Sequence, residues 1–268
     1  MAIGDIDSVP ETAYGFRTKV KIFIERIERL RSELGKEKRE TRILDIGCGT
    51  GRQVTFPLGA EGYSVIGLDT DLASLEVAEK ENTFENVRFV QGDSQHLSKH
   101  LHEQHFDVVI LSDILEHLSD PEKFLRDLCK LLASQAVLLV SIPNGRGPFE
   151  IENFIFRKTG ILRFGYWLRK KLGRGGSTLQ SLNHESGHVQ FFSRRRFLEL
   201  ASRAGYRISF FRKGSFLCGP LTGRIIGLSS WLVKWNVATG RCLPSWMCSV
   251  WYFELVHESS SPSSHHLK

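Results

Sequence analysis

The stretch Arg42-Ile43-Leu44-Asp45-Ile46-Gly47-Cys48-Gly49-Thr50-Gly51 runs from apolar residues through a carboxylate into glycines at alternate positions. A buried strand that ends in such a turn brings its backbone close beneath a nucleotide-sized ligand. A side chain at Gly47, Gly49 or Gly51 would block that approach or forbid the positive-φ backbone the loop needs. Asp45 stands where a carboxylate can accept a hydrogen bond from a ligand ammonium, directly or through water. That chemistry suits an amino-acid-bearing cofactor better than a pyrophosphate. The dinucleotide fingerprint G-x-G-x-x-G is not met, because Arg52 occupies the place of its third glycine. A nicotinamide dehydrogenase is thereby disfavoured and is kept as an alternative.

More acids follow later apolar runs. Ser64-Val65-Ile66-Gly67-Leu68 reads as a second strand ending at Asp69, 18 residues after Gly51, where one carboxylate can serve two ribose hydroxyls. Val87 to Gln91 reads as a third strand entering Gly92-Asp93-Ser94, and Asp93 either accepts from an adenine amine or caps its own turn. A fourth run, Phe106 to Ser112, leads into Asp113-Ile114-Leu115-Glu116-His117-Leu118-Ser119-Asp120-Pro121. His117 is the general-base candidate, since imidazole titrates near neutral pH, with a packed histidine as the alternative. Asp113, Glu116 and His117 would share a face if a helix began by Asp113, and such a face offers ligands to a divalent cation. Acids at a helix start are also common without metal, because they favour the dipole, and no metal is assigned. His184-Glu185-Ser186-Gly187-His188 matches H-E-x-x-H formally, but Gly187 interrupts a helix and no third ligand lies nearby.

Taken together, Ile43 to Gly51, Val65 to Asp69, Gly92-Asp93, Phe106 to Leu118 and Ala136 to Asn144 resemble the class I S-adenosylmethionine-dependent methyltransferases, over roughly residues 40–145. The Asp113 to Pro121 segment resembles the type 11/23-like branch that includes ubiquinone-type O-methyltransferases. Gly187-His188-Val189-Gln190-Phe191-Phe192-Ser193 is similar to a Gly-His-Val-x-Phe-Phe-Ser pattern of that branch. The resemblance implies an α/β, Rossmann-like fold: a seven-stranded, mostly parallel, doubly wound sheet, its last strand antiparallel. It implies S-adenosyl-L-methionine as cofactor, held by Asp45, Gly47, Cys48, Gly49, Gly51, Asp69, Thr70, Asp93, Ser94 and Ser112. Glu116 and His117 become the catalytic pair, and His188 a substrate contact. Cys48 reads as a small packing residue of the loop rather than a nucleophile. The expected reaction is methyl transfer to oxygen of a small-molecule or lipid-linked acceptor. Transfer to nitrogen or carbon, and a cofactor-binding module without turnover, are the alternatives.

The elements that position these residues alternate along the chain. Helical patterns at residues 12–38, 53–62, 72–82, 121–133 and 194–204 separate the strands, with late strands at 206–212 and 247–256, so the crossovers should cover a parallel sheet on both faces. The expected organisation is a helical cap over residues 1–40, a methyltransferase domain over 41–258 with helical insertions after strands 5 and 6 at 145–187 and 215–243, and a polar, disordered tail over 259–268. With 268 residues and 41% hydrophobic content, the chain can bury one substantial core. Asp5, Asp7, Glu11 and Arg17 break up the first residues, so no secretory signal is read there, and no apolar run reaches membrane-spanning length. Five cysteines, an odd number without C-x-x-C spacing, argue against a zinc site or disulfide framework and for a cytoplasmic protein.

The net charge of +6 is local: residues 146–174 hold eight basic residues against Glu150 and Glu152, which accounts for all of it. Phe164, Tyr166, Trp167 and Leu168 interleave with this run, and Tyr166 and Trp167 are substrate-contact candidates. A basic, aromatic insertion beside the strands' carboxyl ends suits an anionic membrane surface or an acidic substrate, while a solvated basic face is the bland alternative. Nucleic acid ranks last as a partner, for no recognised RNA-binding module flanks the run. In the second insertion Leu221, Ile225, Leu228, Leu232 and Trp235 form a stripe read mainly as core packing, with cover for the substrate pocket or a lipid interface as alternatives.

Overall fold

The computed structural model describes residue 6 and residues 11–93, 101, 105–159 and 189–260. Its strands are β1 (Arg42–Ile46), β2 (Ser64–Asp69), β3 (Val87–Gln91), β4 (Phe106–Ser112), β5 (Leu132–Pro143), β6 (Tyr206–Lys213) and β7 (Val250–His257). They form one seven-stranded sheet in the order β3-β2-β1-β4-β5-β7-β6. Only β7 runs antiparallel, wedged between β5 and β6. The order reverses between β1 and β4, and at that switch point the carboxyl ends of two neighbouring strands part and leave a crevice.

Strand alternation sends successive side chains to opposite faces, and both faces are covered. Leu44, Ile46, Val109 and Leu111 pack with Phe124, Leu128, Phe197 and Leu200, which come from helices Pro121–Leu128 and Arg194–Arg203. Ile43, Val65, Val108 and Ile110 pack instead with Val20, Phe23, Ile27, Phe56 and Ala78. The latter come from α1 (Phe16–Leu34), α2 (Thr55–Ala60) and α3 (Leu72–Glu81). The remaining helices of the described residues are α4 (Pro121–Leu128), α5 (Pro148–Thr159), α6 (Arg194–Arg203), α7 (Thr222–Ile226) and α8 (Ser230–Cys242). No helix among the described residues is long and apolar enough to cross a membrane.

Several expected boundaries move. The helix expected over 121–133 ends at Leu128, because β5 begins at Leu132. The 215–243 segment forms two helices rather than one, parted by Gly227, Leu228 and Ser229. Most of its predicted core stripe faces solvent: Leu221, Ile225, Leu228 and Trp235 are exposed and Leu232 is partly buried against the core, while Ile226, Val233 and Val237 are buried. The tail expected to lose structure from residue 259 begins as a 3-10 turn, Glu258–Ser260, and residues 261–268 lie outside the described ones.

Helix α1 lies across the sheet and buries two basic residues along with its apolar stripe. Each meets an acid. Arg26 donates to both carboxylate oxygens of Glu254 on β7, at 2.7 and 3.1 Å, and its guanidinium lies over the Phe210 ring. Lys36, just past the helix, donates at 2.6 Å to Asp107 at the start of β4, which also accepts from the Arg42 amide at 3.0 Å. A buried charge left without its partner is more costly than the pair itself is worth. Arg26→Ala should therefore cost roughly 3 kcal/mol in urea unfolding, while Arg26→Met combined with Glu254→Met should recover most of that loss.

Candidate functional site

The glycine loop stands at the switch point. Gly47, Gly49 and Gly51 all have positive φ, at 73°, 53° and 71°. The Gly47 and Cys48 amides donate to the Leu68 carbonyl at 2.7 and 3.2 Å, which seals the loop to the tip of β2. Asp69 completes the joint, its carboxylate accepting from the Gly49 amide at 2.7 Å and from the Asp71 amide at 2.9 Å. A Cβ at Gly47 would run into Ile114, and one at Gly51 into Phe89, whereas one at Gly49 would meet nothing within 4 Å. Gly47 and Gly51 thus serve packing, and Gly49 faces open space. Cys48 packs beneath Gly67, and burial pushes its thiol far above the ordinary range, so it is no thiolate nucleophile.

Asp45 is buried at the end of β1 and accepts from the Thr55 hydroxyl at 2.6 Å. Burial raises its carboxyl from 3.8 to about 7, with Asp69 adding to the rise and Thr55 and Lys19 opposing it. A raised folded-state value favours the neutral acid, so its contribution to stability is complete below pH 3.8 and is lost as pH rises through about 7. Asp93 follows β3 and is half-buried, and the neighbouring Gly92 amide donates to the Asp69 carbonyl at 3.0 Å. Thr70 is exposed beside it. Ser94, Tyr166, Trp167, His184, Glu185 and His188, with most of the basic run, lie outside the described residues.

A second group gathers where β4 and β5 end. Asp113 takes a left-handed backbone, φ 58°, and its carboxylate accepts from Ser141 at 2.9 Å and from the Lys19 ammonium at 3.1 Å. Lys19 also donates to the Ser112 hydroxyl at 2.6 Å. Leu115–His117 is a 3-10 turn and the helix starts only at Pro121, where Asp120 caps it, so Asp113, Glu116 and His117 do not share the helical face that a metal would need. Among the described residues no group of three such side chains is placed to hold a metal. Glu116 is almost wholly buried, and its Oε2 has no hydrogen-bond partner among the described residues. Burial, reinforced by Asp113, pushes its carboxyl well above the usual range. His117 is half-buried in the same turn.

Loop and turn are adjacent, because Ile114 presses on Gly47. Beside Asp113 a small, largely apolar pocket opens between Tyr14, Phe16, Lys19, Phe149 and Tyr252. Sequence reasoning missed Lys19, Thr55 and Ser141. The signal for Lys19 was its place one turn ahead of Phe23 on the buried stripe of α1, where a lysine is out of character. No local signal marked Thr55 or Ser141, whose partners are far away in sequence.

Two outcomes follow for S-adenosylhomocysteine, the product form of the cofactor the glycine loop implies. Gly49→Ala should keep the fold at a cost of about 1 kcal/mol for its left-handed backbone, yet weaken calorimetric affinity tenfold or more, because the added methyl takes ligand space. Affinity for the ammonium-bearing ligand should rise roughly tenfold between about pH 6 and pH 8 as Asp45 ionises, and Asp45→Asn should bind weakly and without that slope.

Comparison with known proteins agrees with this geometry. A family model described as a methyltransferase domain matches residues 17–209. The chain is 27% identical over 121 residues to the ubiquinone biosynthesis O-methyltransferase of Rickettsia akari (strain Hartford), covering 44% of this chain and 46% of that one. It is 33% identical over 114 residues to the mitochondrial ubiquinone biosynthesis O-methyltransferase of Homo sapiens, covering 41% and 31%. The matches thus span less than half the length of these curated relatives. Among solved structures, the plantazolicin methyltransferase BamL, in complex with a triazolic desmethylPZN analog and SAH, superposes with a TM-score of 0.53 at 17% identity, over 90% of this chain and 85% of that one. With its family match running through the glycine loop, nearly all of α1, five whole strands and the first half of β6, the chain belongs to the methyltransferase-domain family and is a class I member by its fold.

Proposed function

We propose that this protein moves the methyl group of S-adenosylmethionine to an oxygen of a small-molecule or lipid-linked acceptor. The observation that carries the reading is the packing of Ile114, from the Glu116-His117 turn, against Gly47 of the glycine loop, which supports a donor site beside an imidazole and a buried carboxyl. The likeness to ubiquinone biosynthesis O-methyltransferases supports oxygen as the receiving atom. The donor's ammonium would meet Asp45, its ribose Asp69, and its adenine the β3 end at Asp93, with Gly47, Cys48, Gly49, Gly51, Thr70, Ser94 and Ser112 around it. Cofactor loading would favour ionised Asp45.

Transfer is an in-line displacement in which the new O–CH3 bond forms as the S–CH3 bond breaks. The sulfonium leaves as a neutral thioether, and the acceptor's hydroxyl proton passes to His117. Alignment and exclusion of water carry much of the rate, and a positioned base adds about 10²–10⁴-fold. The unpartnered, buried Oε2 of Glu116 would orient the acceptor through a hydrogen bond. The apolar side chains around the small pocket beside Asp113 favour an apolar group on the acceptor. His188, Tyr166 and Trp167 are proposed to complete the acceptor side. A lipid-linked acceptor would be met at an anionic membrane surface, and the basic run at residues 146–174 fits peripheral contact there.

A labelled-methyl transfer screen on lipid and metabolite extracts, with product analysis by mass spectrometry, tests this reading. An ether or ester methyl in the product supports it, and label only on nitrogen or carbon overturns the oxygen assignment. His117→Ala should then lower turnover about 10²–10⁴-fold while S-adenosylhomocysteine affinity stays unchanged. Equal turnover would remove His117 as the base.

A further inference from the structure

The second insertion turns its apolar stripe outward while its inner face is already committed. Ile226, Val233 and Val237 are buried. Asn236 locks α8 in place, donating to the Ala13 carbonyl at 3.1 Å and the Leu217 carbonyl at 2.7 Å, and accepting from the Leu217 amide at 2.8 Å. The outer residues recur at three- and four-residue steps: Leu221 is 50% exposed, Ile225 49%, Leu228 84%, Trp231 67% and Trp235 44%. A run of large apolar side chains held outward on a fixed platform marks an interaction surface, not a core in waiting.

The chemistry of the stripe identifies its partner. From Ser215 to Val250 the sequence has three basic residues, Arg224, Lys234 and Arg241, and no acid. All three are exposed. Glu150 of the neighbouring α5 is partly exposed, while Glu152 of the same helix is turned inward and accepts from the Leu221 and Thr222 amides and the Thr222 hydroxyl. That bond fastens α5 to the start of α7, and α5 exposes Ile151, Phe154 and Ile155 with Lys158. On α7 and α8, aliphatic and tryptophan side chains flanked by cations, with no acid between Ser215 and Val250, match the boundary between acyl chains and anionic headgroups.

We propose that the outer face of α7 and α8 docks on an anionic lipid surface, with Leu228, Trp231 and Trp235 entering the headgroup boundary and Arg224 and Lys234 meeting the phosphates. The inference deepens the lipid-linked reading of the acceptor and rests on it, while its residues are distinct from the basic run at 146–174. Docking there would hold the acceptor pocket next to the phase that carries the acceptor.

Flotation of the full chain with vesicles of phosphatidylcholine, alone or mixed with phosphatidylglycerol, tests it. Binding to the mixed vesicles only, weakening as salt is raised, is the expected result. Leu228→Ser with Trp231→Ser, and separately Arg224→Glu with Lys234→Glu, should each lower partitioning about tenfold or more. Brominated lipid should quench tryptophan emission, and Trp231→Phe with Trp235→Phe should remove that quenching while binding persists. Variants that partition like the unmodified chain overturn the proposal. So does a concentration-dependent dimer in sedimentation that the Leu228→Ser, Trp231→Ser variant abolishes, since a second copy would then be the occupant. S-adenosylhomocysteine calorimetry separates the two readings: intact binding without vesicle association defeats the docking face alone, and absent binding strikes the methyltransferase assignment.

Discussion

The Asp69 carboxylate is the joint on which the cofactor side of the molecule turns. One oxygen takes the Gly49 amide and the other the Asp71 amide, so the loop after β1 and the turn after β2 are tied to a single side chain. The left-handed glycines make that short tie possible, and the crevice between β1 and β4 gives it something to face. Each oxygen keeps a lone pair for a further donor. A group that shapes the empty loop and has capacity left for a ligand pre-organises the site, which lowers the ordering cost of binding.

Electrostatics around that joint are lopsided. Asp45, Asp69, Asp113 and Glu116 converge near the ends of β1, β2 and β4, and Lys19 is the cation that bears on both Asp45 and Glu116. Burial raises Asp45 and Glu116 toward their neutral forms, which relieves the crowding when no ligand is bound. In the proposed reaction a cationic sulfonium donor would bring the charge such a crevice lacks, and the thioether left after transfer would not. The same arrangement that welcomes the donor would therefore hold the spent product less tightly.

Much of this was legible because it is written locally. Apolar runs ending in acids or glycines located β1 to β4, and buried strands of a covered sheet must be near-continuously apolar. The helical pattern at 194–204 matches α6, which Gly205 closes with a φ of 86°. What failed depended on distant partners or on the direction of a face. The Asp113 to His117 segment looked helical from its spacing, but a left-handed residue at 113 and the capped proline start at 121 leave room only for a 3-10 turn. The stripe from Leu221 to Trp235 had the right period for a core helix, yet period alone cannot say which side of a helix meets the domain. Lys19 was passed over as part of a charged helix because its partner lies 94 positions away.

Arg26 and its counter-charge Glu254 are 228 positions apart. During synthesis from the amino terminus, the guanidinium emerges with α1 long before β7 exists to neutralise it. The helix that closes one face of the sheet can dock with its charge satisfied only after nearly every other strand has been made. Sealing of this domain thus waits on β7 rather than on early collapse, and until β7 is made the apolar stripe of α1 lacks its full cover.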